Sequence, residues 1–325
     1  VLFWNRSGET TVLPNHYMCF DYQSSLRQHK LGKAADFLQF RRWLYKKIRR
    51  RKYDKLIVLS TLSGMIIADI LIAFRGKYIF DIRDYSYEHN KLFYWIETTL
   101  IKQSYFTCIS SPGFRQFLPE HDYVIAHNIQ SQMFLSNRKF RKREYGEKLN
   151  VVWNGFMRYF SYQSKIIDRL KNDPRFQLVY YGAGPDLERY QKFCRDNAVS
   201  NIVFAGKYRN SDKETILENA DILNNAYWSS KQKEVQYAIS NKYYDGLAYE
   251  IPQLVEKDTY KAILCQSTGI GMMFLPEEEK FADRLYDWYF SLEADKFSRT
   301  CEKLLSEIQI EEATYRKTIY DFLQL

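Results

Sequence analysis

Four short apolar runs, Val151-Val152-Trp153, Gln177-Leu178-Val179-Tyr180-Tyr181, Asn201-Ile202-Val203-Phe204 and Ala220-Asp221-Ile222-Leu223, follow one another with polar, helix-length segments between them. Strands that alternate with helical patterns require crossover connections, so this half of the chain reads as a parallel α/β sheet. The second run opens directly into Gly182-Ala183-Gly184-Pro185 and then an amphipathic stretch over residues 186–197. Backbone N–H groups at such a helix start can face an anion, although glycine also serves simply to turn the chain tightly.

The first half has the same rhythm. Residues 55–59, 77–81, 106–110 and 123–127 read as strands, and residues 65–74 and 92–104 as helices. At 325 residues the chain exceeds the size at which a single core keeps growing, so two domains are expected. With 46% hydrophobic and 27% charged residues it has the means to fold throughout. Cys19, Cys108, Cys194, Cys265 and Cys301 are odd in number and show no metal-ligand spacing, which fits a reducing compartment. The longest apolar stretch, residues 56–74, is broken by Ser60, Thr61, Ser63, Gly64 and Asp69 and reads as strand, turn and helix rather than a bilayer span.

Charge is divided unevenly. Residues 1–150 hold 25 Lys/Arg against 13 Asp/Glu, and residues 151–325 hold 23 against 26. Much of the excess lies in residues 37–52, where Phe37, Phe40, Leu44 and Ile48 fall at helical spacing and Arg41, Arg42, Lys46, Lys47, Arg49 and Arg50 occupy the remaining surface. This basic amphipathic helix suits an anionic membrane surface or a diphosphate-bearing lipid. The plainer alternative is that the stripe packs on the sheet and the charges are solvated.

In order along the chain stand the GxG loop, Phe204-Ala205-Gly206-Lys207, Ala220-Asp221-Ile222, Ser240-Asn241-Lys242-Tyr243-Tyr244-Asp245-Gly246-Leu247 and Glu250-Ile251-Pro252-Gln253-Leu254-Val255. This order resembles the donor-binding domain of GT-B glycosyltransferases, in particular glycosyltransferase family 4. In the first half Tyr53-Asp54-Lys55-Leu56, Asp81-Ile82-Arg83-Asp84, the run from Ile109 to Phe114 with Leu118-Pro119, and His127-Asn128 are similar to that family's other domain.

The resemblance implies an α/β GT-B fold of two Rossmann-like domains whose parallel sheets face each other across a cleft. It implies an acceptor domain over 1–145, a donor domain over 146–305 and a returning helix over 306–325. The segment Val1 to Glu9 resembles that first domain's second strand, so about 35 residues of strand, loop and helix are expected ahead of it.

The activity implied is transfer of a hexose from a nucleotide diphosphate-sugar to a saccharide, with retention and without a metal or other cofactor. A lipid-diphosphate-linked glycan at the inner face of the cytoplasmic membrane, as in capsule or exopolysaccharide assembly, is the implied acceptor. On the donor side the resemblance points to Arg158 for the diphosphate, with Gly182, Gly184 and Lys207, to Asn241 and Lys242 at a helix start, and to Asp245 for the ribose hydroxyls. Arg158 also reads as a surface arginine, and Ser240 or Asn241 as a helix cap.

The sequence departs from the family twice. Gln163 stands where a lysine follows that arginine, with Lys165 two positions further on and its substitution open, and Tyr237 stands at the first of two paired glutamates, with Glu234 nearby. On the acceptor side Asp84 and His89 follow a strand end and are expected to be catalytic, while an Asp84–Arg83 surface pair is the plain alternative and His127 is open. A sugar-nucleotide epimerase, a degenerate glycan-binding member and a basic nucleic-acid-binding protein are the other readings. Against the last, the aromatics fall at core spacing and no RNP, KH or zinc-finger pattern occurs.

Overall fold

The computed structural model describes residues 1–5, 14–23, 30–130, 139–227 and 232–324. The end of the Val1 to Glu9 segment lies outside these. The chain divides into two units, one formed by Val1–Ile109, Phe117–Val124 and Lys317–Leu325, the other by Ser110–Gln116 and Ile125–Arg316.

In the first unit β1 (Leu2–Asn5) and β2 (Met18–Asp21) form a parallel pair. A separate sheet has the order β3 (Leu56–Leu59), β4 (Tyr78–Ile82), β5 (Phe106–Ile109), β6 (Tyr123–Ile125), with β3, β4 and β5 parallel. Every residue of β4 is buried, as a strand covered on both faces requires.

The basic helix runs over Lys30–Arg51. Its stripe is used inside the fold: Phe40, Leu44 and Ile48 are buried, with the Phe40 ring 5.2 Å from Trp4 and 5.6 Å from Phe20. Each such burial contributes about 2 kcal/mol, so the plain reading of the stripe holds and the stripe itself is used in packing. Arg42, Lys46, Arg49 and Arg50 are exposed. Arg41 is engaged with the Ile66 carbonyl and lies 2.9 Å from Asp69, and Lys47 sits over the Trp43 ring.

The second unit holds a six-stranded sheet in the order β12 (Gly271–Phe274), β11 (Gln253–Glu256), β10 (Ile222–Asn224), β7 (Leu149–Asn154), β8 (Phe176–Tyr181), β9 (Ile202–Gly206), every neighbouring pair parallel. Alternation sorts its side chains onto two faces. Val151, Trp153, Leu178, Ile222 and Leu254 pack on one face with Ile166, Ile167 and Leu285. Val152 and Leu223 pack on the other with Ile216, Leu217 and Ile251.

A division after residue 145 leaves residues 139–145 with the first sheet, but they pack on the second. The Phe140 ring lies 4.8 Å from Phe297, and Arg143 pairs with Asp221 at 2.8 Å. The long helix Ala294–Gln324 ends within the first unit, where Lys55 Nζ donates to the Phe322 carbonyl at 2.6 Å.

Candidate functional site

The chain leaves β7 toward β8 on one side, and β10 lies on the other, so the strand order reverses between these two neighbours. Ligands of open parallel sheets bind at the carboxyl edge of such a switch point.

Beside it, on the side away from β10, the three loops that follow β7, β8 and β9 pack together. Gly155 N donates to Tyr181 O at 2.9 Å, Gly182 N to Gly206 O at 2.7 Å and Met157 N to Ala183 O at 3.0 Å. Gly182 has φ +137°, and a Cβ on it would stand 1.8 Å from Gly155 O; a Cβ on Gly184 would stand 2.4 Å from Met157 O. Close packing of the two loops thus requires both glycines. The helix start that follows does not present its cap outward: Asp186 Oδ2 accepts from Phe160 N at 3.0 Å and so caps the helix Phe160–Leu170. Together the loops enclose an open depression of about 650 Å³ lined by Gly155, Phe156, Gly182, Ala183, Gly184, Pro185, Lys207 and Tyr208.

Two cations are presented at these loops. Arg158 is exposed, its guanidinium 4.7 Å from the Tyr159 ring centroid, and among the described residues no carboxylate lies within ion-pairing distance. Lys207 is exposed at the depression's rim.

Beside them lies a buried charged cluster. The helix Asn241–Ala248 is buried along nearly its whole length. Asp245 on it is 1% exposed, with Lys213 Nζ 2.7 Å from its Oδ1, yet burial holds its carboxyl above the ordinary range against that lysine's pull. Lys261 Nζ lies 3.1 Å from Glu256 Oε2 and donates to Asn225 O at 2.5 Å. Glu256 Oε2 also accepts from Tyr227 N at 2.7 Å. Lys242 Nζ, on a residue 4% exposed, stands 3.1 Å from the Trp153 ring centroid and 5.0 Å from that of Tyr227.

Apart from Asp245 Oδ1, which faces Lys213, four buried polar atoms here lack a hydrogen-bond partner among the described residues: Trp153 Nε1, Asn154 Oδ1, Lys242 Nζ and Glu256 Oε1. Buried groups are ordinarily satisfied, so orphans gathered here leave polar positions for ordered water or a ligand to fill.

Several sequence expectations change. Gln163 is not an outward-facing clamp. It is fully buried, donating to Ala226 O at 2.6 Å and accepting from Tyr180 Oη at 2.9 Å and Asn224 Nδ2 at 2.8 Å. Lys165 is exposed, where the adjacent Ile166 and Ile167 turn into the core. Ser240 does not cap its helix with its side chain; its hydroxyl donates to Asn225 Oδ1 at 2.6 Å. Asn241 Oδ1 accepts from Asn128 at 2.7 Å.

Glu234 is exposed in the helix Lys233–Tyr237, and the Tyr237 carbonyl accepts from Ser111 Oγ at 2.6 Å. His127 is buried with both ring nitrogens engaged, Nδ1 2.9 Å from Tyr244 Oη and Nε2 2.5 Å from Glu311. In the first unit Arg83 pairs with Asp81 at 2.7 Å and not with Asp84, because the strand end buries Asp81 beside it. Asp84 and His89 are both exposed in the loop after β4.

Lys213 is far in sequence from Glu256 and Lys261, and only the fold gathers the three. Signals for two of them exist in the sequence: Glu256 directly extends an apolar strand, and Lys261 shares a helix face with Ala262 and Cys265. Among the described residues no group of three or more His, Cys, Asp or Glu is arranged to hold a metal, and no helix is long and apolar enough to cross a membrane.

No protein-family model matches this sequence, and no curated protein matches it. Solved structures do. One is the lipopolysaccharide outer core galactosyltransferase WaaB in its apo form, 15% identical over 94% of this chain and 84% of that one, with a TM-score of 0.62. Anabaena HepE in complex with UDP-glucose is 12% identical over 98% and 99%, with a TM-score of 0.66. The sucrose-phosphate synthase of Thermosynechococcus elongatus is 9% identical over 99% and 89%, with a TM-score of 0.68. At these identities the likeness carries the fold: two α/β units with parallel sheets, as in GT-B glycosyltransferases.

Proposed function

We propose that this chain is a glycosyltransferase that moves a hexose from a nucleotide diphosphate-sugar to a saccharide acceptor. The observation that carries the reading is the group of orphaned buried polar atoms at the β7/β10 switch point, beside glycine-packed loops that present Arg158 and Lys207. A nucleotide diphosphate-sugar needs cations for its diphosphate and polar groups for ribose and sugar. Arg158 and Lys207 supply exposed cations, the former a planar fork that suits paired phosphate oxygens. Gly182 and Gly184 let the loops come close, Asn241 and Lys242 stand at the start of a buried helix, and Asp245 is the acceptor for ribose hydroxyls. The UDP-glucose-bound HepE structure shares the fold and supports this choice of donor class.

In this reading the chain is a member of glycosyltransferase family 4 and transfers with retention and without a metal. The first unit receives the acceptor, with Asp84 and His89 as its catalytic side chains, and the last helix returns to it. The acceptor is a lipid-diphosphate-linked glycan in capsular or exopolysaccharide assembly at the cytoplasmic membrane's inner face. Since the helix Lys30–Arg51 uses its apolar stripe in packing, membrane attraction rests on charge alone, through Arg42, Lys46, Arg49 and Arg50, each contributing about 1 kcal/mol. No nucleic acid is a partner.

The test is thermal denaturation with UDP, GDP, ADP, CDP and dTDP, and with a short oligonucleotide. One nucleoside diphosphate is expected to raise the melting temperature, and Arg158→Ala to abolish the rise. Stabilisation by the oligonucleotide alone, lost at high salt, would overturn the reading.

A further inference from the structure

The buried charges around Trp153 can be followed one by one. Asp245 faces Lys213 from the helix Lys213–Glu218 at 2.7 Å. Glu256, at the end of β11, faces Lys261 from the helix Tyr260–Thr268 at 3.1 Å. Arg158 is exposed in the loop after β7 and is solvated. Lys242 is left over: its ammonium has no acceptor among the described residues, and what it meets is the face of Trp153 and, farther off, the ring of Tyr227.

A ring face offers a buried cation about 2 kcal/mol, while withdrawing it from water costs several. We propose that Lys242 is the internal counter-ion of this site, completed by one anionic group of the bound ligand, either a diphosphate oxygen or a carboxylate on the transferred sugar. The inference rests on the donor-site reading and adds to it a specific charge requirement.

A proton follows the ligand. In the free protein burial first, and the neighbouring Lys261 ammonium second, push the Lys242 amine well below the ordinary lysine range, with Arg158 adding to the fall and Asp245 and Glu256 opposing it. An arriving anion pulls the amine back up. The bound state therefore holds more protons than the free state, binding takes up protons, and affinity falls as pH rises through the window between the two.

The experiment is calorimetric titration of the full chain in two buffers of different ionisation enthalpy. Three ligands share the stabilising base: the nucleoside diphosphate, its hexose conjugate and its hexuronate conjugate. The expected result is uptake of up to about one proton, lost in Lys242→Met together with at least ~10-fold in affinity. Uptake with the diphosphate alone assigns the anion to phosphate; uptake only with the hexuronate assigns it to the sugar. The proton count is read on the wild-type protein, so it stands even if the variant folds poorly. Binding without proton uptake, unchanged in Lys242→Met, overturns this inference alone. Absence of binding by every ligand to the wild type overturns the donor-site reading and this inference with it.

Discussion

Lys213 Nζ lies 2.7 Å from Asp245 Oδ1, joining the helix that follows β9 to the buried helix that follows β10. Lys213 is partly exposed and Asp245 is not, so the lysine neutralises a carboxylate that burial already disfavours. Lys213→Met should cost about 3 kcal/mol by leaving that carboxylate unpaired. Its sign with pH is determined: a carboxyl whose folded pKa is raised contributes stability in acid that is lost as pH rises through that value, and removing Lys213 raises it further. The gap between variant and wild type in chemical denaturation should be small below about pH 4 and widest near neutrality. A gap independent of pH would contradict the pairing.

Glu97 presents the same physics with no partner cation among the described residues. It is fully buried in the helix Lys91–Gln103, and burial, helped by the Glu88 carboxylate, pushes its carboxyl up to about 8. Its contribution is present below the ordinary glutamate range and lost as pH rises toward about 8. Glu97→Gln should match wild type near pH 4 and exceed it by a few kcal/mol at pH 8 in urea denaturation. Equal stability at both pH values would refute this.

Gly182→Ala should cost at least about 3 kcal/mol, since its Cβ would stand 1.8 Å from the Gly155 carbonyl at a φ of +137°. Gly206→Ala is the control. Its φ is +79° with nothing within 4 Å of the new carbon, so about 1 kcal/mol is expected. Similar melting temperatures for the two variants would show that the loops do not pack closely.

Replacing Arg42, Lys46, Arg49 and Arg50 together by Gln should leave the melting temperature within about 2 °C of wild type, because all four are exposed. Sedimentation with vesicles rich in anionic lipid should fall sharply, and wild-type binding should itself weaken with salt. Leu44→Ala, in contrast, should cost about 3 kcal/mol through the buried stripe.

Legibility in the sequence followed the locality of the signal. Runs such as Val151-Val152-Trp153 and turns such as Gly182-Ala183-Gly184 carry their structure in adjacent residues, and both sheets were readable from them. The strand Gly271–Phe274 escaped because Gly-Met-Met-Phe has neither β-branched residues nor alternation. The strand Met18–Asp21, four residues long, went unnoticed for the same want of pattern. At the site, the family resemblance pointed to the helix of Lys242 and Asp245. Their environments depend on Lys213, Glu256 and Trp153, brought together only by the sheet order. Gln163 shows the limit best: its motif position suggests a ligand contact, while the fold makes it the hub joining Tyr180, Asn224 and Ala226.

The central claim, that the carboxyl edge between β7 and β10 is the donor site, is tested most directly by a crystal structure with the stabilising nucleoside diphosphate. The account expects the diphosphate within hydrogen-bonding reach of Arg158 and the ribose at Asp245. A nucleotide bound elsewhere, with Arg158 in solvent and the Lys242 ammonium still facing only Trp153, would contradict it.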